Sequence, residues 1–510
     1  MESRACLSPA RQISELAVRR GDIAATVYES QQIAYSDLDQ RVRRLCGLLR
    51  RRGVCRGARV AYIGMNSPLL LITLLAAARL AAVFVPLNYR LAPNEMADVV
   101  ADCRPFVLVV EAEWVMSAEL PRVGNVLTLP SDGHVSEPID AEFEVPAERC
   151  HDSDLAALIY TSGSSGRPKG VMLTYGNLWW SSVNAQAMLD VRFDGVTLAA
   201  APLFHIGGLN TFALPTLARG GTVLIHRSFD AERALADLQK YRVESLVAVP
   251  TMYEKLSSHP DFRAADLTGL RAPVVAGAPV PIGLIKRFLA KGVALQQAWG
   301  LTETSPFATY LPPRDTVRKM GSVGAAMPYV EVQVRDKTGT PAVAPGQPGE
   351  LWVKGPNVTA GYWGNPEATD RAITHDGWLR TGDIGHQDSD GYFYIVGRSS
   401  EIVISGGENV YPGEVERVLR DIPEVAEVAV LGIPDGLWGE TLVAVASLSP
   451  GAHLTLAEVR NFASRRLARY KVPRMLKLVA EMPLNSVGKV DKESLRRLFP
   501  QTSDAVKLER

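Results

Sequence analysis

The sequence predicts an α/β fold in which a large N-terminal domain of helix-covered, mostly parallel sheets precedes a small α+β C-terminal lid domain. Apolar strand-like segments alternate with helical segments as far as about residue 300, which is typical of parallel sheets covered by helices. From Gly321, short strands separated by turn signals indicate an antiparallel, barrel-like β region. After Gly397 a mixed pattern of helices and strands returns. We therefore expect an N-terminal domain at residues 1–398 and a C-terminal domain at residues 399–510.

The first elements of the chain follow from their apolar spacing. Ser36 is expected to cap a helix that ends at Gly53, because apolar residues recur on one face at Leu38, Val42, Leu45 and Leu49. Short apolar segments predict strands at residues 59–63, 82–85, 106–110, 155–159 and 273–276. The apolar stretch from Pro68 to Leu87 is interrupted by Arg79, so we expect a buried helix that leads into a buried strand rather than a membrane span.

The composition is that of an ordinary globular protein. Of the 510 residues, 47% are apolar and 22% are charged, and the formal net charge is zero, which gives no indication of a nucleic-acid partner. The five cysteines form no CxxC pair and no metal-binding spacing, so we expect reduced thiols at Cys6, Cys46, Cys55, Cys103 and Cys150. The N-terminus lacks the apolar segment of a signal peptide. We therefore expect a soluble, cytoplasmic protein without a transmembrane segment.

A loop rich in glycine and hydroxyl residues follows the predicted strand at 155–159. Its candidate phosphate-binding residues are Thr161, Ser162, Gly163, Ser164, Ser165, Gly166 and Lys169. The glycines allow backbone N–H groups to point at one centre, and the hydroxyls and Lys169 add further donors, so the loop suits a polyphosphate. It is not a Walker A loop, because Gly170 follows Lys169 where that motif requires Ser or Thr at the start of a helix. A plain flexible linker would not require the embedded Pro-Lys-Gly.

Further motifs follow along the chain. They are Pro202–Gly208 (PLFHIGG), Gly277–Pro279 (GAP), Gln297–Glu303 (QAWGLTE), Thr381–Asp383 (TGD), Gly397–Glu401 (GRSSE), Ser405–Pro412 (SGGENVYP) and Pro483–Val490 (PLNSVGKV). Together with the loop they resemble, in order and spacing, the motifs of the adenylate-forming superfamily, which includes acyl- and aryl-CoA synthetases, peptide-synthetase adenylation domains and luciferases. The resemblance covers essentially the whole chain. It implies ATP, Mg²⁺ and coenzyme A as cofactors or substrates, and a C-terminal domain that moves between two half-reactions.

On the nucleotide side, the resemblance implies a complete ATP site. Besides the loop, the residues implied to contact ATP or AMP are Gly277, Ala278, Pro279, Ala298, Trp299, Gly300, Thr302, Asp383, Arg398 and Lys489. Trp299 would stack on adenine, Asp383 would accept hydrogen bonds from the ribose, and Glu303 would hold Mg²⁺. An aromatic face suits a purine, and a hard carboxylate suits a hard cation that bridges phosphates. Relatives often carry Gly at position 298 and Tyr at position 299.

On the acid and thiol side, the resemblance implies residues for both half-reactions. The expected catalytic residues are Lys489, Thr302, Glu303 and His205, and the expected acid- or CoA-binding residues are His205, Gly207, Gly208, Gly300, Leu301, Gly406 and Gly407. Lys489 would neutralise the charge that develops during adenylation, and the Gly406–Gly407 loop would line the pantetheine tunnel. An imidazole at position 205, rather than a carboxylate, argues against an α-amino acid substrate. An apolar medium- or long-chain acyl acid, or an aryl acid, is expected.

Three alternatives remain open from the sequence. The acyl-adenylate could pass to a carrier-protein thiol, an amine or another small nucleophile instead of coenzyme A. A nucleotide-sensing protein without catalysis would retain the same fold, although the presence of Glu303 and Lys489 argues against it. The segment from Arg460 to Lys477 holds seven basic residues and no acidic ones, and could either bind the 3′-phosphate of coenzyme A or form a solvated helix face. Ser400 stands at the hinge position where relatives carry Lys or Asp.

Overall fold

The computed structural model describes residues 8–115, 121–135, 148–161, 168–188, 190, 192, 195–342, 344–405, 408–435, 438–485 and 489–499. The chain divides into two compact units. The first unit comprises Met1–Val332 and Val353–Arg380, and the second comprises Gln333–Trp352 and Thr381–Arg510. The domain boundary expected at residue 398 stays a prediction.

The helices are mostly short. They are α1 (Pro9–Arg19), α2 (Tyr35–Arg51), α3 (Pro68–Arg79), α4 (Pro93–Cys103), α5 (Ala112–Val115), α6 (Tyr175–Met188), α7 (Ile206–Gly208), α8 (Leu214–Arg219), α9 (Ala231–Lys240), α10 (Pro250–Ser258), α11 (Ile282–Ala290), α12 (Pro366–Ala372), α13 (Pro412–Leu419), α14 (Leu456–Ser464) and α15 (Lys492–Arg496).

Strands alternate with the helices in the first unit, and further strands form the second unit. They are β1 (Ala24–Tyr28), β2 (Gln31–Ala34), β3 (Arg59–Ile63), β4 (Val83–Pro86), β5 (Val107–Glu111), β6 (Val126–Leu129), β7 (Leu155–Thr161), β8 (Lys169–Thr174), β9 (Val196–Ala199), β10 (Thr222–Ile225), β11 (Ser245–Ala248), β12 (Ala272–Val275), β13 (Gln296–Trp299), β14 (Thr309–Tyr310), β15 (Ala325–Ala326), β16 (Glu331–Arg335), β17 (Gly349–Lys354), β18 (Leu379–Gln387), β19 (Phe393–Arg398), β20 (Val403–Ser405), β21 (Glu408–Val410), β22 (Val425–Asp435), β23 (Gly439–Leu448) and β24 (Met475–Leu478).

The first unit contains two large sheets whose inner strands are parallel. One sheet has nine strands in the order β15-β14-β13-β12-β11-β9-β10-β1-β2, and the other has six in the order β6-β5-β3-β4-β7-β8. Antiparallel pairing occurs only towards their edges, at β13–β14, β14–β15, β1–β2 and β7–β8. The expectation of mostly parallel sheets is therefore confirmed.

Both faces of the six-stranded sheet are covered. Along β3, Val60 and Tyr62 face one apolar cluster while Ala61 and Ile63 face another. All twelve residues of α3 are buried against the sheet region, including Arg79. A strand that is buried on both faces becomes continuously apolar, which explains why these segments were recognisable in the sequence. The buried helix and strand expected over residues 68–85 are confirmed.

One expected detail at the start of α2 is wrong. Ser36 does not cap the helix, because the helix begins at Tyr35 and Ala34 occupies the N-cap position. The Ser36 hydroxyl instead donates a hydrogen bond to the carbonyl of Gly21, at 3.0 Å. Tyr35 is fully buried and its hydroxyl bonds the carbonyls of Leu217 and Gly221. Tertiary packing of Tyr35 therefore sets the start of this helix.

The second unit is built on a five-stranded sheet with apolar clusters on both faces. The strand order is β21-β20-β23-β22, and β24 pairs with β23 in parallel. Along β22, Val428 and Val430 face one cluster, whereas Ala429 and Leu431 face the other. A four-stranded sheet, β16-β17-β18-β19, forms from the region expected to be rich in short strands and turns.

Three further expectations can be compared with the fold. Among the described residues, no helix is long and apolar enough to cross a bilayer. The basic segment from Arg460 to Lys477 is not one helix face, because it runs through the end of α14, a 3₁₀ turn at Arg469–Lys471 and strand β24. Among the cysteines that the structure describes, Cys46, Cys55, Cys103 and Cys150 form no disulfide bond.

Candidate functional site

The candidate phosphate loop joins two antiparallel strands at the edge of the six-stranded sheet. β7 ends at Thr161 and β8 begins at Lys169, and these two residues are register partners. Ser162, Gly163, Ser164, Ser165 and Gly166 lie outside the described residues. The chain thus leaves the loop as a strand, whereas a Walker A loop leads into a helix. This connection agrees with the interpretation drawn from Gly170.

The segment 359–363 packs beside β8 and brings a second functional region to the loop. The Met172 amide donates a hydrogen bond to the Gly361 carbonyl at 2.9 Å, and the Trp363 amide donates to the Gly170 carbonyl at 2.8 Å. The Tyr362 ring consequently lies 5.4 Å from the Nζ atom of Lys169, measured to the ring centroid. Lys169 and Tyr362 therefore form a cation–π contact.

Tyr362 also holds the carboxylate of Glu303. Its hydroxyl donates a hydrogen bond to Glu303 Oε1 at 2.8 Å, and the Thr359 amide donates to the Glu303 carbonyl at 2.8 Å. Burial, followed by the Glu303 charge, raises the pKa of Tyr362, so the phenol stays protonated and acts as the donor. The structure therefore places Lys169 and Glu303, predicted separately from two distant motifs, on one tyrosine. Tyr362 is not among the residues predicted from the sequence, and the signal available there is the aromatic pair that follows Gly361.

The turn that carries Thr302 and Glu303 is rigidly closed. Gly300 is required there, because an added Cβ atom would lie 2.0 Å from the Pro306 carbonyl oxygen. The Thr304 hydroxyl bonds the Leu301 amide at 2.8 Å and the Pro306 carbonyl at 2.7 Å. The turn is thus fixed by its own residues on the inner side.

A buried asparagine fixes the same turn from outside. The side-chain amide of Asn357 donates to the carbonyls of Thr304 and Phe307, and the backbone carbonyl of Asn357 accepts a hydrogen bond from the Ser305 hydroxyl at 2.8 Å. Asn177 holds the Asn357 segment in turn, through the carbonyls of Pro356 and Val358. These contacts pre-organise the position of Glu303 before any ligand binds. Neither asparagine was identified from the sequence.

The other candidate adenine residues lie at the C-terminal ends of two parallel strands of the nine-stranded sheet. β12 and β13 are parallel neighbours with Val275 opposite Gln297, so the residues after both strands emerge side by side. Gly277, Ala278 and Pro279 are exposed after β12, and Gly277 has a φ of +88° that favours glycine. Ala298 and Trp299 are buried at the end of β13. The stacking of Trp299 on adenine stays a prediction.

His205 begins a compact turn between β9 and α8. A Cβ atom at Gly208 would lie 2.3 Å from the Pro202 carbonyl oxygen, whereas one at Gly207 would meet no atom within 4 Å. The first glycine therefore faces open space and the second permits a close backbone approach. The His205 ring lies against Phe204, with 4.4 Å between the ring centroids.

A π-helical turn links this region to the Glu303 turn. The chain forms a π-helix at Leu209–Ala213, a feature often found at functional sites. Asn210 in this turn is buried and donates a hydrogen bond to the Ser305 carbonyl at 2.8 Å. The candidate acid-side residue His205 and the candidate metal-side residue Glu303 are therefore joined through a short chain of contacts.

Two candidate nucleotide-binding residues of the second unit pair with each other. Asp383 and Arg398 are register partners on β18 and β19, and Arg398 Nε lies 2.6 Å from Asp383 Oδ1. Asp383 is almost fully buried, while Arg398 keeps 44% of its side chain exposed. A buried carboxylate that is already aligned by an arginine has a fixed orientation for accepting further hydrogen bonds.

Lys489 follows the segment 486–488, which lies outside the described residues, as do Gly406 and Gly407. The Lys489 backbone amide donates to Asn485 Oδ1 at 3.0 Å, and the Asn485 backbone amide donates to the Lys489 carbonyl at 2.7 Å. The residue as a whole is exposed, but desolvation of its ammonium group, followed by repulsion from Arg398, lowers its pKa. Asp383 and Glu401 act in the opposite direction.

Comparison with known proteins agrees with this geometry. The model of the AMP-binding enzyme family matches residues 13–363, and that of the AMP-binding enzyme C-terminal domain matches residues 414–489. A feruloyl-CoA synthase from an Amycolatopsis species is 41% identical over 95% of this chain and 96% of that protein. An indoleacetate–CoA ligase from Aromatoleum aromaticum is 39% identical over 92% of this chain and 94% of that protein.

Solved structures show the same relationship. The o-succinylbenzoate CoA synthetase of Bacillus subtilis, in complex with its acyl-adenylate intermediate, superposes with a TM-score of 0.85 at 29% identity, over 98% of this chain and 99% of that one. An amide bond synthetase from Marinactinospora thermotolerans superposes with a TM-score of 0.86 at 28% identity, over 97% and 99%. The family models together span both units and most of the chain. This chain belongs to the family of AMP-binding, adenylate-forming enzymes.

Proposed function

We propose that this protein activates an aryl or arylalkanoic acid with ATP and transfers the acyl group to coenzyme A. The observation that carries the proposal is the placement of Lys169 and Glu303 on Tyr362, because a phosphate-loop cation and a metal-binding carboxylate must both reach one nucleotide. The sequence relatives named for feruloyl-CoA and indoleacetate support the acid-thiol ligase activity.

The residues present fit a Mg²⁺ ion that is shared with the substrate. In the described part of the chain, no group of three or more His, Cys, Asp and Glu side chains could hold a metal alone. Mg²⁺ is commonly bound by one or two carboxylates together with substrate phosphates. Glu303 supplies one such carboxylate, in an orientation fixed by Tyr362. The ion would neutralise phosphate charge and help pyrophosphate to leave.

The first half-reaction needs little covalent chemistry from the protein. A carboxylate oxygen of the acid attacks the α-phosphorus of ATP, a P–O bond to pyrophosphate breaks, and an acyl-adenylate forms. Thr302 and the loop from Thr161 to Lys169 would position the phosphates, and Asp383 would position the ribose. Lys489 would neutralise the charge that develops between the carboxylate and the α-phosphate.

The second half-reaction breaks the mixed anhydride. The thiol sulfur of coenzyme A attacks the acyl carbon, the bond from that carbon to the phosphate oxygen breaks, and AMP leaves with its negative charge. The thiol proton is lost to solvent or to a nearby base. We propose that the Gly406–Gly407 loop lines the path of the pantetheine arm, as the sequence motif implies.

The names of two sequence relatives favour an aryl acid over a long acyl chain. The two sequence relatives with 41% and 39% identity are named for acids that carry an aromatic ring. The open space at Gly207 lies two residues from His205 and leaves room for an acid larger than acetate, whether it carries a ring or a chain. Fatty acids remain the competing class, because a long-chain fatty-acid–CoA ligase of Mycobacterium tuberculosis is 33% identical.

A second acceptor class is supported by one comparison. The amide bond synthetase covers the chain as fully as the CoA synthetase does, so the adenylate could instead pass to an amine. A carrier-protein thiol is a further possibility for the same chemistry, since every residue on the nucleotide side would be unchanged. Because the described cysteines form no disulfide bond, we propose a cytoplasmic location.

The experiment that tests the proposal measures products with a panel of acids and acceptors. Ferulate, cinnamate, benzoate, indoleacetate, octanoate and palmitate would each be incubated with ATP and Mg²⁺, and the acyl products identified by mass spectrometry. We expect an aryl acid to give the acyl-CoA in the presence of coenzyme A. Turnover of fatty acids alone would contradict the acid class, and products only with an amine or a carrier protein would contradict the acceptor.

A further inference from the structure

Asn66 makes a set of hydrogen bonds that connects the two large sheets of the first unit. It follows β3 of the six-stranded sheet and is 4% exposed. Its Nδ2 atom donates to the carbonyls of Ala201 and His226, at 2.9 and 3.1 Å, and its Oδ1 atom accepts from the Leu203 amide at 2.8 Å. All three partners follow β9 or β10, which belong to the nine-stranded sheet.

Two of these partners belong to the turn that carries His205. The His205 amide bonds the Pro202 carbonyl at 3.2 Å, and Gly208 packs against the same carbonyl. Asn66 binds the backbone on both sides of Pro202, at Ala201 and at Leu203. Asn66 therefore fixes the position of Pro202, and the Pro202 carbonyl in turn fixes the His205 backbone.

The Asn66 loop is itself anchored by an ion pair whose carboxylate is buried. The Met65 amide donates to Glu111 Oε2 at 2.7 Å, and the Glu111 carboxylate pairs with Arg227. Glu111 is fully buried, and a Cβ atom at Gly64 would lie 2.4 Å from Glu111 Oε2. Arg227 directly follows His226, whose carbonyl accepts from Asn66. The Asn66 loop and the segment that contains His226 are thus both fixed to the Glu111 carboxylate.

We propose that Asn66 is a positioning residue for the acid-binding step, acting through the backbone of residues 201–205 on the His205 side chain. The inference rests on the proposed function, in which His205 lines the acid site. Only an amide satisfies the observed pattern, because the site needs two donor hydrogens and one acceptor on a short side chain. A carboxylate of the same size would oppose two carbonyl oxygens and could not donate to either.

The test compares Michaelis constants for the two substrates of adenylation. Asn66→Asp keeps the size of the side chain, and Asn66→Ala serves if that variant does not fold. With an acid that the wild-type enzyme turns over, we expect either variant to raise KM for the acid by about tenfold while KM for ATP changes by less than about twofold. A selective change of this kind is not expected from a general loss of stability.

Tyr35→Phe is the matched control. The Tyr35 hydroxyl is also buried and also bonds two backbone carbonyls, but it lies at the start of α2 and outside the candidate site. We expect it to lower the melting temperature without separating the two KM values. The inference is overturned if KM for the acid is unchanged in both Asn66 variants, or if both KM values rise together as the stability falls. Failure of the wild-type enzyme with every acid would contradict the proposed function instead.

Discussion

The hydroxyl of Tyr362 donates a hydrogen bond of 2.8 Å to the carboxylate of Glu303. The two residues lie 59 positions apart in the chain, and Tyr362 reaches Glu303 because residues 359–363 pack along β8, directly after the candidate phosphate loop. One phenol therefore couples the position of the proposed metal-binding carboxylate to the strand that begins at Lys169. This coupling has a direct consequence for the binding of Mg²⁺ and ATP.

Tyr362→Phe is expected to weaken the binding of Mg²⁺ with ATP. The substitution removes only the hydroxyl, so Glu303 loses the donor that orients it while the ring under Lys169 remains. Hydrogen bonds to charged groups contribute about 1.5–3 kcal/mol, and we expect KM for Mg²⁺–ATP to rise about tenfold or more, with a smaller effect on KM for the acid. Initial rates of pyrophosphate release over a range of Mg²⁺ concentrations measure this.

Tyr253→Phe is the control for that variant. Its hydroxyl is buried and bonds the carbonyls of Leu246 and Val274, within the core below the nine-stranded sheet. It should lower stability without altering the dependence on Mg²⁺. Equal Mg²⁺ dependence in Tyr362→Phe and the wild-type enzyme would show that Tyr362 does not orient the metal-binding carboxylate.

Gly300→Ala is expected to damage the turn that carries Glu303. An added Cβ atom would lie 2.0 Å from a backbone oxygen, which cannot move without displacing Pro306 and Phe307. Overpacking of this kind typically costs about 1–3 kcal/mol, and we expect a loss of that size in the free energy of unfolding, measured with urea. Gly124→Ala is the control, because a Cβ atom there meets nothing within 4 Å. Similar stability of the two variants would contradict the geometry of the turn.

Lys489→Ala is expected to separate the two half-reactions. If Lys489 neutralises charge during adenylation, the variant should lose at least about 100-fold in acid-dependent pyrophosphate release, a magnitude typical of removing one electrostatic stabiliser. Thioester formation from a preformed acyl-adenylate should be almost unaffected. Rapid-quench assays of each half-reaction measure the two rates. A comparable loss in both halves would contradict the assignment of Lys489 to adenylation alone.

The rate of adenylation is expected to fall at alkaline pH. Desolvation and Arg398 lower the pKa of Lys489, so its ammonium group should lose its proton below the usual pH for lysine, and the rate should decline as the pH rises through that lowered pKa. Lys489→Arg keeps a charge throughout this range and should remove the decline, although at a lower absolute rate. An identical alkaline decline in both enzymes would assign the titration to another group.

Local patterns in the sequence were sufficient to predict many elements. Strands that are buried on both faces, such as β3 and β5, are continuously apolar, and the loop before Lys169 has a distinctive composition. The start of α2 was predicted wrongly because capping preferences are local, whereas the buried hydroxyl of Tyr35 bonds carbonyls 182 and 186 residues away.

The residues that support the site were harder to predict for the same reason. Asn66 bonds partners 135 to 160 residues away, and Asn357 bonds partners at least 50 residues away. A single asparagine or tyrosine within an apolar segment gives no indication of such a distant partner. These residues can be recognised only in the folded structure, where the segments that follow β3, β9 and β13 are joined by hydrogen bonds. The roles of Asp383, Arg398 and Lys489 in catalysis stay predictions.

The proposed activity is tested most directly by measuring acid-dependent release of pyrophosphate from ATP in the presence of Mg²⁺, with and without coenzyme A. We expect release that depends on an aryl acid, becomes faster when coenzyme A is added, and yields the acyl-CoA and AMP in equal amounts. Release that coenzyme A leaves unchanged would contradict the proposed acceptor. The absence of release with every acid, from a folded enzyme that binds ATP, would contradict the proposed activity itself.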